Sequence, residues 1–127
     1  MASGELTDRM REGLTPYLEP GEQLKAVGAF QSGGNWVELP KATFFVMRDW
    51  WVGVTDKRVI LAKQTRLSGQ LMTDAVFSVA RENVVLKTAF LSWVLRIKSP
   101  DPKIPKRLQL MELMGADKEA IKQAFGS

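Results

Sequence analysis

The side chains that most often carry protein chemistry are missing from this 127-residue chain, which has no His and no Cys. Without Cys there is no thiol nucleophile, no disulfide and no thiolate-bound zinc. Without His there is no imidazole base, no Ser-His pair and no His-ligated metal. The carboxylates Asp49 and Asp56 flank an apolar run but stand seven residues apart, and nothing in the pattern makes them converge. No Gly-x-Gly-x-x-Gly, no Gly-x-x-x-x-Gly-Lys and no Gly-x-Ser-x-Gly occurs. The expectation is a protein that is not an enzyme, holds no cofactor and no metal, and works through its surface.

Three groups of residues are candidates for that surface. Trp36, Phe44, Phe45, Trp50 and Trp51 make an aromatic-rich region. Adjacent residues of a strand point to opposite faces, so one of Trp50 and Trp51 can fill the core and the other must lie on a surface or under a loop. The region reads either as an exposed patch for a partner or as a satellite core beneath a long loop. Lys87, Arg96, Lys98 and Arg107 fall on the outward phase of the last strands, with Lys103 and Lys106 in a proline-rich loop. Together they read either as a cationic face for anionic lipid or as solvated charge that blunts strand edges. Nucleic acid is not an expected partner, because no aromatic residues interleave with these cations. Thr55-Asp56-Lys57-Arg58 reads as a phosphate-contacting loop or, more simply, as a hairpin turn with Asp56 accepting backbone hydrogen bonds and Arg58 covering the sheet edge.

Charge placement sharpens the second group. Residues 1–64 hold eight basic and eight acidic side chains, and residues 65–127 hold ten and six, so the net +4 belongs to the second half. No apolar run is long enough to span a bilayer, and Met1 to Glu5 lacks the basic-then-apolar pattern of a signal peptide. A cytoplasmic protein is expected, with the cationic face able to bring it to the inner face of the membrane.

The elements that must position these residues follow from periodicity. Leu6, Met10, Leu14 and Leu18 recur every fourth residue and predict an amphipathic helix over 5–15. Pro16 limits it, and a turn at Pro20-Gly21 follows. From Glu22 the period becomes two. Strands are expected from 22 to 113: around Leu24 to Phe30, Trp50 to Thr55, Arg58 to Gln64, Val76 to Val79, Val84 to Ala89, Trp93 to Lys98 and Arg107 to Leu113. Thr43 to Met47 reads equally as strand or apolar loop. Pro100, Pro102 and Pro105 make a stiff exposed loop. A last helix is expected over 116–126, with Ile121 and Phe125 packing inward. Short turns between strands imply one domain over 1–127, built as an antiparallel meander curved into a barrel or an orthogonal sandwich.

Leu18-Glu19-Pro20-Gly21-Glu22-Gln23-Leu24, followed by Trp51-Val52-Gly53-Val54-Thr55-Asp56-Lys57-Arg58-Val59-Ile60-Leu61, resembles the bacterial pleckstrin-homology-like (PH-like) domain family. In that family a Pro-Gly-Glu turn opens the first strand, and a strand ending in a Thr-Asp-Lys-Arg-type turn leads into an apolar strand. Val79 to Val84 and the final helix fall in matching places. The resemblance implies a mainly β fold, a seven-stranded, bent antiparallel barrel capped by the C-terminal helix, here with an extra N-terminal helix. It implies binding of lipid headgroups, peptides or other subunits rather than one activity. The lysine and spaced basic-x-Arg of phosphoinositide-binding members are not matched by Lys25, Lys41 and Arg48, the basic residues between Glu22 and Trp51. The resulting expectation is a non-catalytic module for protein–protein interaction or self-association as a homo-oligomer. The alternative is a peripheral membrane module that binds anionic lipid.

Overall fold

The computed structural model describes residues 3–32, 48–67, 70–88, 93–110 and 118–126. Their elements are α1 (Ser3–Leu14), β1 (Ala26–Ser32), β2 (Arg48–Val54), β3 (Arg58–Leu67), β4 (Gln70–Ala80), β5 (Val84–Thr88), β6 (Trp93–Ile97), β7 (Arg107–Leu110) and α2 (Lys118–Gly126). A 3-10 turn over Thr15–Tyr17 continues α1, and another over Arg81–Asn83 joins β4 to β5. The strands form one antiparallel sheet in the order β4-β3-β2-β1-β7-β6-β5. Among the described residues its end strands β4 and β5 do not pair, so the sheet is not closed; it bends so that β3 and β6 share one core.

The period of two explains the layering. Along β3, Val59 and Leu61 face one side and Ile60 and Ala62 the other, and all four are buried. The first side belongs to a core shared with Phe30, Trp50, Val52, Leu95, Ile97, Leu108 and Ile121 of α2. The second side belongs to a separate core with Val27, Ala29, Trp51 and the α1 residues Met10 and Leu14. A strand buried on both faces reads as a continuous apolar run.

The helix predicted from Leu6, Met10, Leu14 and Leu18 is present as α1, and it lies across the outer face of β1 and β2. Full burial of Met10 and Leu14 contributes about 1.5–3 kcal/mol each. Small residues let the helix come close. A Cβ on Gly13 would stand 2.9 Å from Cζ3 of Trp51, and one on Gly53 would stand 2.7 Å from Cδ2 of Leu24 and 3.0 Å from Cδ1 of Leu14.

α2 packs on β1 and β5 and inserts Ile121 into the main core. Arg81 fastens it. Its Nη2 donates to the Ala124 carbonyl oxygen at 2.6 Å, and its guanidinium lies 4.4 Å from the centre of the Phe125 ring. A cation that bonds the last carbonyls of a helix also meets the negative end of its dipole. β4 runs well beyond the short strand expected at Val76–Val79. It pairs with β3 through a register shift that leaves Asp74 without an opposite residue. The segment from Gly33 to Met47 lies outside the described residues, as does the chain from Met111 to Asp117.

Candidate anion-binding face

The last three strands sort their side chains by phase. Val84 and Leu86 of β5, Leu95 and Ile97 of β6 and Leu108 of β7 turn toward the main core. Val85 and Lys87, Arg96 and Lys98, and Arg107 take the opposite phase and are exposed. No helix among the described residues covers this outer face, in contrast to the face of β1 and β2 under α1. The pairing register sets Val85 opposite Arg96, and Arg96 opposite Arg107, so these three form one row across three strands.

Backbone bonds fix the end of that row. Ile97 N–H donates to the Lys106 carbonyl at 2.9 Å, and Lys98 N–H donates to the Asn83 carbonyl at 2.8 Å. Lys106, Lys98 and the turn at Glu82-Asn83 thereby meet. The result is an open hollow of about 610 Å³, lined by Lys87, Arg96, Lys98, Lys106 and Arg107 around Val85. Glu82 is its one lining carboxylate among the described residues. Among the described residues, no carboxylate forms an ion pair with any of the five cations.

The structure thus brings together five of the six cations expected on this face. Lys103, the sixth, is exposed but does not line the hollow. It sits in a loop more tightly held than three prolines suggest. Asp101 Oδ1 accepts the Lys103 N–H at 2.9 Å, and Ile104 N–H donates to the Asp101 carbonyl at 3.1 Å. Ile104 is buried in the main core and anchors the loop from within.

The aromatic candidates fare differently. Trp50 is 3% exposed and Trp51 7% exposed. Trp50 lies in the main core, its ring centre 6.1 Å from that of Phe77, and its Nε1 donates to Ser32 Oγ at 3.0 Å. Trp51 is covered by α1, and its Nε1 has no hydrogen-bond partner among the described residues. The expectation that one of these indoles could belong to an exposed patch is corrected: the sheet is covered on both sides where they stand. Trp36, Phe44 and Phe45 lie outside the described residues.

Thr55-Asp56-Lys57-Arg58 is a hairpin turn, with one change of roles. Thr55 rather than Asp56 organises it: Thr55 Oγ1 accepts from the N–H groups of Lys57 and Arg58 at 3.2 and 3.1 Å, while Asp56 is exposed. Arg58 is engaged by Glu22. Its Nη2 donates to Glu22 Oε1 at 2.8 Å and its Nε to Oε2 at 3.0 Å. Nη2 also reaches the Tyr17 carbonyl at 2.6 Å, and Nη1 reaches Ser78 Oγ at 2.8 Å. Glu22 further accepts the Glu19 N–H at 3.0 Å and the Thr55 hydroxyl at 2.9 Å. These donors, Arg58 first, hold the Glu22 carboxyl at about 2, below its ordinary 4.5. The same pairing raises the pKa of Arg58. With its guanidinium committed in this way, Arg58 serves the fold, and a phosphate-contacting role for this turn loses its main cation.

No three His, Cys, Asp or Glu side chains gather as metal ligands among the described residues. No helix among them is long and apolar enough to cross a membrane. No family model matches the chain, and no curated protein or solved structure matches it.

Proposed function

We propose that this chain is a non-catalytic binding module of PH-like fold that docks on anionic lipid surfaces through the outer face of β5, β6 and β7. The bent seven-stranded antiparallel sheet, with α2 on its core, supports the PH-like part of this reading. One observation carries the lipid part: five exposed cations line one hollow on a face that no described helix covers, with no described acidic partner. Cations held near an anionic bilayer contribute about 1 kcal/mol each, screened by salt. The competing reading, a protein-binding or self-association surface, leaned on an exposed aromatic region, and burial of Trp50 and Trp51 removes two of its five residues.

Vesicle sedimentation tests the proposal. Binding to phosphatidylglycerol vesicles is expected, weakening as salt rises, with none to phosphatidylcholine vesicles. Replacing Lys87, Arg96, Lys98, Lys106 and Arg107 together by Gln should abolish it. Equal binding to both kinds of vesicle, or none to either, would remove this function.

A further inference from the structure

Arg96 and Arg107 are directly opposed on adjacent antiparallel strands. Like charges in that position repel and lower stability. A protein that needed only solubility could separate them. Instead Lys98 and Lys106 are fixed at the same end of the row by backbone hydrogen bonds, and all four line one hollow. The hollow has a volume of about 610 Å³ and is open to solvent.

The arrangement favours one class of anion. A guanidinium is planar and presents paired donors that match phosphate oxygens, which an ammonium cannot do. Two guanidiniums on neighbouring strands suit a group with three free oxygens and nearly two negative charges, which is a phosphate monoester near neutral pH. A phosphodiester or a carboxylate offers one charge and fewer acceptors. The hollow is open rather than enclosed, so it suits a group presented from a surface. Val85, 49% exposed and in the same row, supplies an apolar contact beside the charges.

Resting on the docking reading above, we propose that Arg96 and Arg107 form a clamp for a lipid-borne phosphate monoester. Lys98 and Lys106 close its rim, and Val85 meets the less polar part of the headgroup layer. This clamp lies on the last three strands, away from the first two.

The test compares vesicles containing phosphatidic acid with vesicles containing phosphatidylglycerol, matched for surface potential. The wild-type chain should bind the phosphomonoester vesicles about tenfold more tightly, the effect of one added charge-assisted pair. Arg96→Lys and Arg107→Lys keep the charge but lose the paired donors, so each should bring the ratio of phosphatidic acid to phosphatidylglycerol binding toward one. Circular dichroism of each variant checks that it is folded. Equal binding to the two matched vesicles would overturn the clamp while leaving electrostatic docking intact. Binding to neither would overturn both. Glycerol phosphate in solution should compete the preference away at millimolar concentration. If glycerol phosphate binds but phosphatidic acid vesicles do not, the lipid source is wrong and the clamp as proposed falls.

Discussion

Glu22 and Arg58 stand 36 residues apart in the chain, yet their side chains close a two-pronged ion pair at 2.8 and 3.0 Å. The Glu22 side chain is only 4% exposed. The pair ties the turn that opens β1 to the hairpin that joins β2 and β3, and through Tyr17 to the end of α1. Gly21 makes the approach possible, because its φ of 83° is a left-handed conformation that other residues adopt at a cost.

Removing the acid should leave Arg58 short of its principal acceptor. Glu22→Gln should lower the free energy of unfolding by about 2 kcal/mol, the usual penalty for stranding a shielded polar partner. The midpoint of urea unfolding reads this directly. An unchanged midpoint would mean that water replaces Glu22 without loss.

The same pair predicts acid sensitivity with a definite sign. The folded carboxyl titrates at about 2 and the ordinary value is 4.5. A group whose folded pKa is depressed takes up protons first in the unfolded chain, so its contribution is full above its ordinary value and declines as pH falls toward the folded one. Urea unfolding at stepped pH should therefore show the stability gap between wild type and Glu22→Gln constant near neutrality. It should shrink steadily below about pH 4.5.

Gly13→Ala sets two effects against each other. Alanine favours a helix over glycine by about 0.8–1 kcal/mol. Its Cβ would also meet the Trp51 ring at 2.9 Å, and that ring is held between helix and sheet. Overpacking of this kind costs about 1–3 kcal/mol, so the net result should be a loss. Thermal unfolding should show a lower Tm, and a raised Tm would mean that α1 can shift on the sheet.

Arg81→Met should loosen α2 selectively. It removes the 2.6 Å bond to Ala124 and the cation over Phe125 at a cost of about 1–2 kcal/mol. Hydrogen exchange should quicken in α2 while the central strands β2 and β3 keep their protection. Uniform quickening throughout the chain would contradict a local latch.

The opposed arginines predict a gain of stability at the expense of binding. Arg107→Gln should raise stability by about 0.5 kcal/mol in dilute buffer, by removing the repulsion with Arg96. The gain should fade in about 1 M salt, where screening acts within about 3 Å. Binding to anionic vesicles should weaken in the same variant.

Strong local patterns made much of this fold legible in the sequence. The alternation of Trp93, Leu95 and Ile97 with Arg96 and Lys98 located β6 and assigned the outward phase of its cations, because phase in a strand is a local property. Which surfaces meet is not local. The stripe of Met10 and Leu14 announced a buried helix face, but not that it would cover Trp51. Two adjacent tryptophans therefore left an exposed patch and a satellite core as alternatives, where the folded sheet is covered on both faces. The Pro20-Gly21-Glu22 and Thr55-Asp56-Lys57-Arg58 turns were each visible, yet their ion pair was not, since nothing in either turn names a partner so far along the chain. The polar first half of β4 lacks a clean period of two, and so its length was hidden.

The unpaired ends of the sheet have a consequence for how the molecule is made. β4 and β5 are linked by a turn whose Arg81 finds its strongest acceptor, Ala124, in α2, the last element in chain order. Among the described residues no ladder of backbone bonds joins these two strands, so this fastening depends on a side chain waiting for residues translated after it. A nascent chain emerging from the ribosome can assemble β1 to β4 early. Until α2 arrives, the main core lacks Ile121 and Arg81 lacks its Ala124 acceptor, and that interval leaves apolar surface open to misassembly.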